Sequence, residues 1–187
     1  MAPEATYAIH ELRGPSSERL QAFFDANPEY WLRVFGRPPG PNDARELFEA
    51  VPPPEMTWRG KHVLEIEARD GSVGAIADVI TDLCAPGLWH VGLFIAATRL
   101  HGTGESAALY GALETWMRER DAAWARLGVV VGNTAAERFW RKMGYTEVKL
   151  RKAVEMKERI FDMRVMAKPL AGGTIAEYRS IMPRDDP

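Results

Sequence analysis

Arg99-Leu100-His101-Gly102-Thr103-Gly104 is a stretch that could bind an anion through its backbone. It follows an apolar run, Leu88 to Ala97, and opens into a segment whose Leu109, Ala112, Leu113, Trp116 and Met117 recur at helical spacing. The local pattern is strand, glycine turn, helix. Glycine at 102 and 104 removes the side chains that would hold a ligand off the main chain. The first amides of the new helix lack intrahelical acceptors and lie at the positive end of the helix dipole. A phosphate or pyrophosphate suits that position, with Arg99 as a charged neighbour. An ordinary tight strand-to-helix turn would carry the same two glycines, so the stretch needs support from elsewhere in the chain.

The chain of 187 residues, 46% hydrophobic and 27% charged, is long enough for one well-cored domain and short for two. Its net charge of -2 has no block of like sign, which argues against a nucleic-acid footprint and leaves small molecules as default partners. The first residues have no basic start or apolar core of a signal peptide, and no run reaches membrane-spanning length, so a cytoplasmic location without membrane contact is expected. Cys84 is the only cysteine, excluding an intramolecular disulfide. The four histidines are scattered without ligand spacing, and no metal is expected.

Elements must position the glycine turn. Tyr7 to Arg13 reads as a short strand ended by Gly14-Pro15, and Ser16 or Ser17 can cap a helix bearing Leu20, Phe23 and Phe24. Glu29 to Phe35 is a second amphipathic piece. The stiff connector Gly36 to Pro41 precedes a third helix with Ala44, Leu47, Phe48 and Val51, halted by Pro52-Pro53-Pro54. Lys61 to Ala68 alternates as a strand, Asp70-Gly71 signals a hairpin, and Val73 to Ile80 returns. Leu88 to Ala97 reads as a central strand, and a helix follows over residues 104 to 120. Leu127 to Val131 reads as a buried strand, and Asn133 opens a helix closed by Gly144. Tyr145 to Leu150 and Ile160 to Lys168 are two last strands. Ala171 to Pro187, with Gly172-Gly173, reads as a mobile tail or partner-docking extension.

This order, with the glycine turn and with Asn133 through Arg141-Lys142-Met143-Gly144-Tyr145, resembles the GNAT superfamily of acyl-coenzyme A dependent acyltransferases. The first motif fits that family's Arg or Gln, two residues, Gly, one residue, Gly or Ala; the second fits its Asn-opened helix ending in an aromatic, a basic residue and Gly with an aromatic. The similarity runs from roughly Lys61 to Leu170. It implies an α/β (α+β) fold, a mixed, mostly antiparallel sheet flanked by helices. It also implies a single acyltransferase domain over 1–170, with an acceptor-binding helical region at 1–58, a coenzyme core at 61–170 and a tail at 171–187. A dinucleotide or phosphate loop is a weaker match, since Leu127 to Val131 ends with no acidic residue for a ribose and no Gly-Lys-Ser/Thr follows.

The resemblance implies acetyl-coenzyme A as donor, with no metal, bound along Phe94, Ile95, Ala96, Arg99, Leu100, His101, Gly102, Thr103, Gly104, Glu105 and Ser106, and by Asn133, Phe139 and Trp140. Backbone amides near Phe94 to Ala96 would hold the thioester. Many relatives carry an acid tyrosine where Trp140 stands, and indole cannot act as that acid; Tyr145 and Tyr110 are candidate substitutes. A neutral histidine can take a proton from an attacking amine, which nominates His90 as base, with Glu65, Glu67, Asp78 and Asp82 as weaker candidates because strand acids mostly face solvent. Ser106 and Cys84 have no partnered base and are read as a helix-start and a packing residue. Tyr30 and Arg33, on one helical face, are expected to meet the acceptor, Arg33 favouring an anionic group. The implied activity is acetyl transfer to an amine of a small molecule or peptide, with homodimerisation left open. The alternative is a non-catalytic acyl-coenzyme A binding or sensing module.

Overall fold

The computed structural model describes residues 7–14, 17–157 and 159–186. Ser16, named above as a cap, lies outside them. Apolar and β-branched runs form seven strands: β1 (Ile9–Leu12), β2 (Gly60–Glu67), β3 (Val73–Thr81), β4 (Leu88–Ala96), β5 (Trp124–Val130), β6 (Thr146–Met156) and β7 (Arg159–Pro169). Among the described residues six α-helices accompany them: α1 (Ser17–Ala26), α2 (Glu29–Phe35), α3 (Asp43–Glu49), α4 (Glu105–Arg118), α5 (Thr134–Lys142) and α6 (Ile175–Ile181). The strands make one sheet in the order β1-β2-β3-β4-β5-β7-β6, antiparallel except for the β4/β5 pair. The expected mixed, mostly antiparallel architecture is therefore observed.

Helix ends follow local chemistry. α4 places Glu105 in its first turn and Arg118 in its last, matching the helix dipole. Asn133 caps α5 by accepting the Ala136 amide, and Arg141 and Lys142 fill the last turn before Gly144 turns at φ 89°. Both faces of β3 are covered, so its residues from Gly74 to Thr81 are all buried.

Two features of the sheet make the site. On β3 and β4, Asp78 pairs with Leu93 and Val79 with Val91, which leaves Gly92 as a bulge. β4 and β5 pair only from Leu88/Trp124 to Val91/Leu127, after which β5 stays with β7 while β4 stays with β3. A wedge opens between the two parallel strands beyond the bulge. The backbone of β4 from Leu93 to Ala96 borders that wedge without a partner strand.

The C-terminal segment departs from the expectation of a tail. Thr174 and Glu177 form a capping box for α6, whose Tyr178, with Met182 just after it, packs on Leu88, Trp124, Val165 and Ala167 of the sheet. Two glycines and a charged end conceal this in the sequence. Gly173 is small because a Cβ there would lie 2.8 Å from the Trp124 ring, and Asp185 is fully buried against Arg126.

Candidate active site

The wedge holds a cleft of about 390 Å³. One wall is the free edge of β4, at Phe94, Ile95 and Ala96, continued by His101, Gly102 and Ser106. The opposite wall is α5 with its cap: Asn133, Ala136, Phe139 and Trp140. Asn27, Glu29, Tyr30 and Arg33 close it from the α1–α2 side. Gly102 and Gly104 adopt φ 78° and 87°, and no atom stands within 4 Å of where their Cβ atoms would be. Among the described residues, the amides of Gly102, Gly104 and Ser106 have no acceptor, while Glu105 donates to Thr103 Oγ1 at 3.2 Å. This is an open cradle of free donors at the start of α4, the shape an anionic diphosphate requires.

The remaining residues of the turn serve it from behind. Thr103 and Ser106 hydroxyls donate to the Leu100 carbonyl at 2.8 and 3.3 Å, and Leu100 is buried. His101 Nε2 donates to the Ala96 carbonyl at 3.1 Å, fastening the turn to the strand end. Glu105 accepts the Arg69 amide at 3.1 Å. Arg99, expected beside the anion, instead pairs with Asp70 at 3.2 Å and donates to Ser72 outside the cleft. It braces the β2–β3 hairpin against the turn.

A second cavity, about 420 Å³, meets the first at Tyr30, Phe94, Asn133, Ala136 and Trp140. It is lined by Asp78, His90, Gly92, Arg126 and Arg151, and by apolar side chains of residues 50–56, β3 and the β6–β7 hairpin. Asp78 is 6% exposed, which corrects the reading of strand acids as solvent-facing. Burial pushes its carboxyl up to about 6 despite the charge of Lys61. Its Oδ1 has no hydrogen-bond partner among the described residues. Lys61 stands 3.5 Å from it, but that ammonium donates to the Leu47 and Ala50 carbonyls.

His90 does not fit the role of base. Burial, reinforced by the neighbouring Arg126, pushes the imidazole down to about 3. Arg126 Nη1 lies 3.2 Å from His90 Nδ1, and a guanidinium can only donate, so the ring hydrogen belongs on Nε2. His90 is a neutral donor. Tyr145 is equally displaced from its expected role: it is buried, its hydroxyl bonds that of Tyr110, and burial pushes both phenols well above their ordinary range. It lines neither cavity. Trp140 packs edge-on against Phe94, Tyr110 and Tyr145. Tyr30 borders both cavities, with its phenol pushed up to about 12 by burial. Of the two cavities, Arg33 lines the first cleft only.

A match to the model of the acetyltransferase (GNAT) family covers residues 20–145. The chain belongs to the GNAT acetyltransferase family. Solved structures of similar fold include the spermidine N-acetyltransferase of Vibrio cholerae in complex with CoA and spermine, at 12% identity and TM-score 0.66, covering 89% of this chain and 97% of that one. The ribosomal-protein-S18-alanine N-acetyltransferase of Escherichia coli gives 14% and 0.61, covering 90% and 96%. The ribosomal-protein-alanine N-acetyltransferase of Brucella melitensis gives 22% and 0.60, covering 87% and 99%. Among curated proteins none matches the sequence significantly. GNAT enzymes use acetyl-coenzyme A and act on amine acceptors. Arg126, Arg151, Tyr178 and Asp185 carry no motif, and among them only Arg126 has a sequence signal, a charge inside the apolar stretch Trp124 to Val131.

Proposed function

We propose that this chain transfers an acetyl group from acetyl-coenzyme A directly to an amine of a small molecule or peptide. The observation that carries this reading is the meeting of two cavities at the splayed β4/β5 edge, one walled by free amides and the other by the Asp78 carboxylate, whose proton affinity burial raises. In the first, the amides of Gly102, Gly104 and Ser106 hold the diphosphate. The Asn133 side chain, its Oδ1 engaged in the cap, turns its amide nitrogen to the pantetheine arm. Phe139 and Trp140 supply apolar contact. The coenzyme supplies an activated thioester acetyl group, and the unpaired edge of β4 offers backbone donors for the oxygen on which charge develops.

In the second cavity the amine must lose a proton to become a nucleophile. The Asp78 carboxylate takes it, since a carboxyl near 6 is ionised at neutral pH yet basic enough to accept a proton as the new bond forms. The neutral His90 donates from Nε2 and orients the acceptor. Tyr30 stands where the cavities join and positions the amine, while Arg33 contributes to the coenzyme side. No covalent enzyme intermediate is required, because binding both reactants across one wedge supplies the proximity.

Replacing Gly104 with valine puts a β-branched side chain at φ 87°, in the mouth of the cradle. Coenzyme A affinity measured by calorimetry is expected to fall at least about tenfold, a loss of about 1.4 kcal/mol, with the melting transition retained. A folded Gly104→Val protein that binds the coenzyme like the parent would refute the cradle. The same preparation of parent enzyme, assayed for thiol release with an amine panel, tests transfer itself.

A further inference from the structure

The far cavity contains more fixed positive charge than negative, and its cations are held in place. Arg126 donates from Nε and Nη2 to the two oxygens of Asp185 at 2.7 and 3.1 Å. Tyr178 donates to the same carboxylate at 2.6 Å, and Arg151 Nη2 at 3.0 Å. Four donors and full burial leave Asp185 nothing to offer a ligand. One carboxylate thus serves two guanidiniums. Arg151, whose side chain is 28% exposed, keeps Nε and Nη1 without a partner among the described residues.

The other charged groups on the cavity wall do not cancel this excess. His90 is neutral, and Asp78 faces the ammonium of Lys61 at 3.5 Å. Most of the remaining surface is apolar, including Val51, Met56, Ile80, Leu83, Met156 and Met163. Methionines adapt to ligand bodies of varied shape.

We propose that the acceptor of this enzyme is an amine bearing a carboxylate on an apolar body, and that Arg151, backed by Arg126, binds the carboxylate. The proposal rests on the reading of this cavity as the acceptor site. Guanidinium and carboxylate match as a planar fork, and the pairing strengthens where water is excluded. A neutral apolar amine would offer the free donors of Arg151 no acceptor while displacing water from them, a costly exchange. A linear polyamine would bring a second cation against Arg126 and Arg151. Asp78 on β3 and Arg126 on β5 stand two strand spacings and two residues of register apart, roughly 12 Å between their backbones. The amine and the carboxylate can therefore occupy opposite ends of one cavity.

Acetylated products test this without dependence on turnover. With coenzyme A present, calorimetry compares N-acetylleucine with N-acetylisopentylamine, and N-acetyl-6-aminohexanoate with N-acetylpentylamine, pairs that differ in the carboxylate alone. At least one acid is expected to bind tenfold or more tightly than its neutral partner. Arg151→Gln should remove the difference, Arg151→Lys restore some of it, and coenzyme affinity stay unchanged in both. Equal or absent binding within both pairs by the parent protein overturns the proposal, whether or not the variants fold. A preference that survives in folded Arg151→Gln does so as well, and so does acetylation of spermidine in preference to the acidic amines. Failure of the transferase reading shows separately, as coenzyme affinity indifferent to Gly104→Val.

Discussion

Asp78 combines two properties a general base needs, a place on the cavity wall and an affinity for protons that burial raises despite the Lys61 ammonium 3.5 Å away. Asp78→Asn is expected to lower kcat/KM by about 10²- to 10⁴-fold, the usual range for such a group. Activity of the parent should rise with pH through about 6 as the carboxyl ionises, and that acid limb should be missing in the variant. Stability moves the other way. A carboxyl whose folded value is raised binds its proton more tightly when folded, so its burial is least costly below about 4, and the cost grows until pH passes about 6. Asp78→Asn should therefore melt higher than the parent at pH 7.5, with the gap closing toward pH 4. Pre-steady-state rates and melting curves over pH 4–8 check both, and an unchanged acid limb would return the proton to water. In the sequence Asp78 reads as one strand acid among several. Its carboxylate is enclosed with Lys61 of β2 and Gly92 of β4 beside it, neighbours that no local pattern encodes. His90 is legible as a histidine on the central strand, but the guanidinium that neutralises its use as a base arrives from β5.

At the scale of elements, the glycine turn and the capped helix after Asn133 are legible because their determinants are local: glycine where φ is positive, an asparagine before an amphipathic run. Strand and helix positions follow the apolar period closely for α2, β3 and β4. The bulge at Gly92 is different, since it is defined by register against β3 and has no sequence mark beyond a glycine in a strand. A Cβ at Gly92 would come within 2.9 Å of Asp78 Oδ2, and the buried aspartate has little room to retreat. Gly92→Ala is accordingly expected to lower kcat at least about tenfold, in the manner of a misplaced catalytic group, while coenzyme affinity stays as in the parent. Steady-state kinetics beside calorimetry make the comparison. Loss of coenzyme binding instead would mean that the bulge shapes the first cleft rather than the carboxylate.

Across the whole molecule, the last residues of the chain complete a site whose motifs lie far upstream. Asp185 reaches Arg126 over 59 positions, and the contact is invisible to any window-based reading of Gly172-Gly173 and the charged end. Burial alone would raise the Asp185 carboxyl, but the Arg126 hydrogen bond and charge, with Tyr178 and Arg151, hold it below the ordinary carboxylate range. Its contribution to stability is thus fully present above about pH 4 and lost as pH falls through the lowered folded value. Removing one partner of a buried ion pair costs about 3–5 kcal/mol, a large fraction of the roughly 5–15 kcal/mol by which domains are stable. Asp185→Asn should lower the unfolding free energy measured in urea by that order at pH 7, with the deficit shrinking in strong acid. Truncation after Leu170 should do more, since it also uncovers Leu88, Trp124, Val165 and Ala167 and leaves Arg126 buried without a counter-ion. That shortened chain is expected to lose its cooperative transition in urea. A truncated protein that melts cooperatively and binds coenzyme A would show that α6 is an accessory to the domain. If it unfolds as expected, the segment that buries Leu88 and Trp124 and supplies the counter-ion of Arg126 is part of the domain's core.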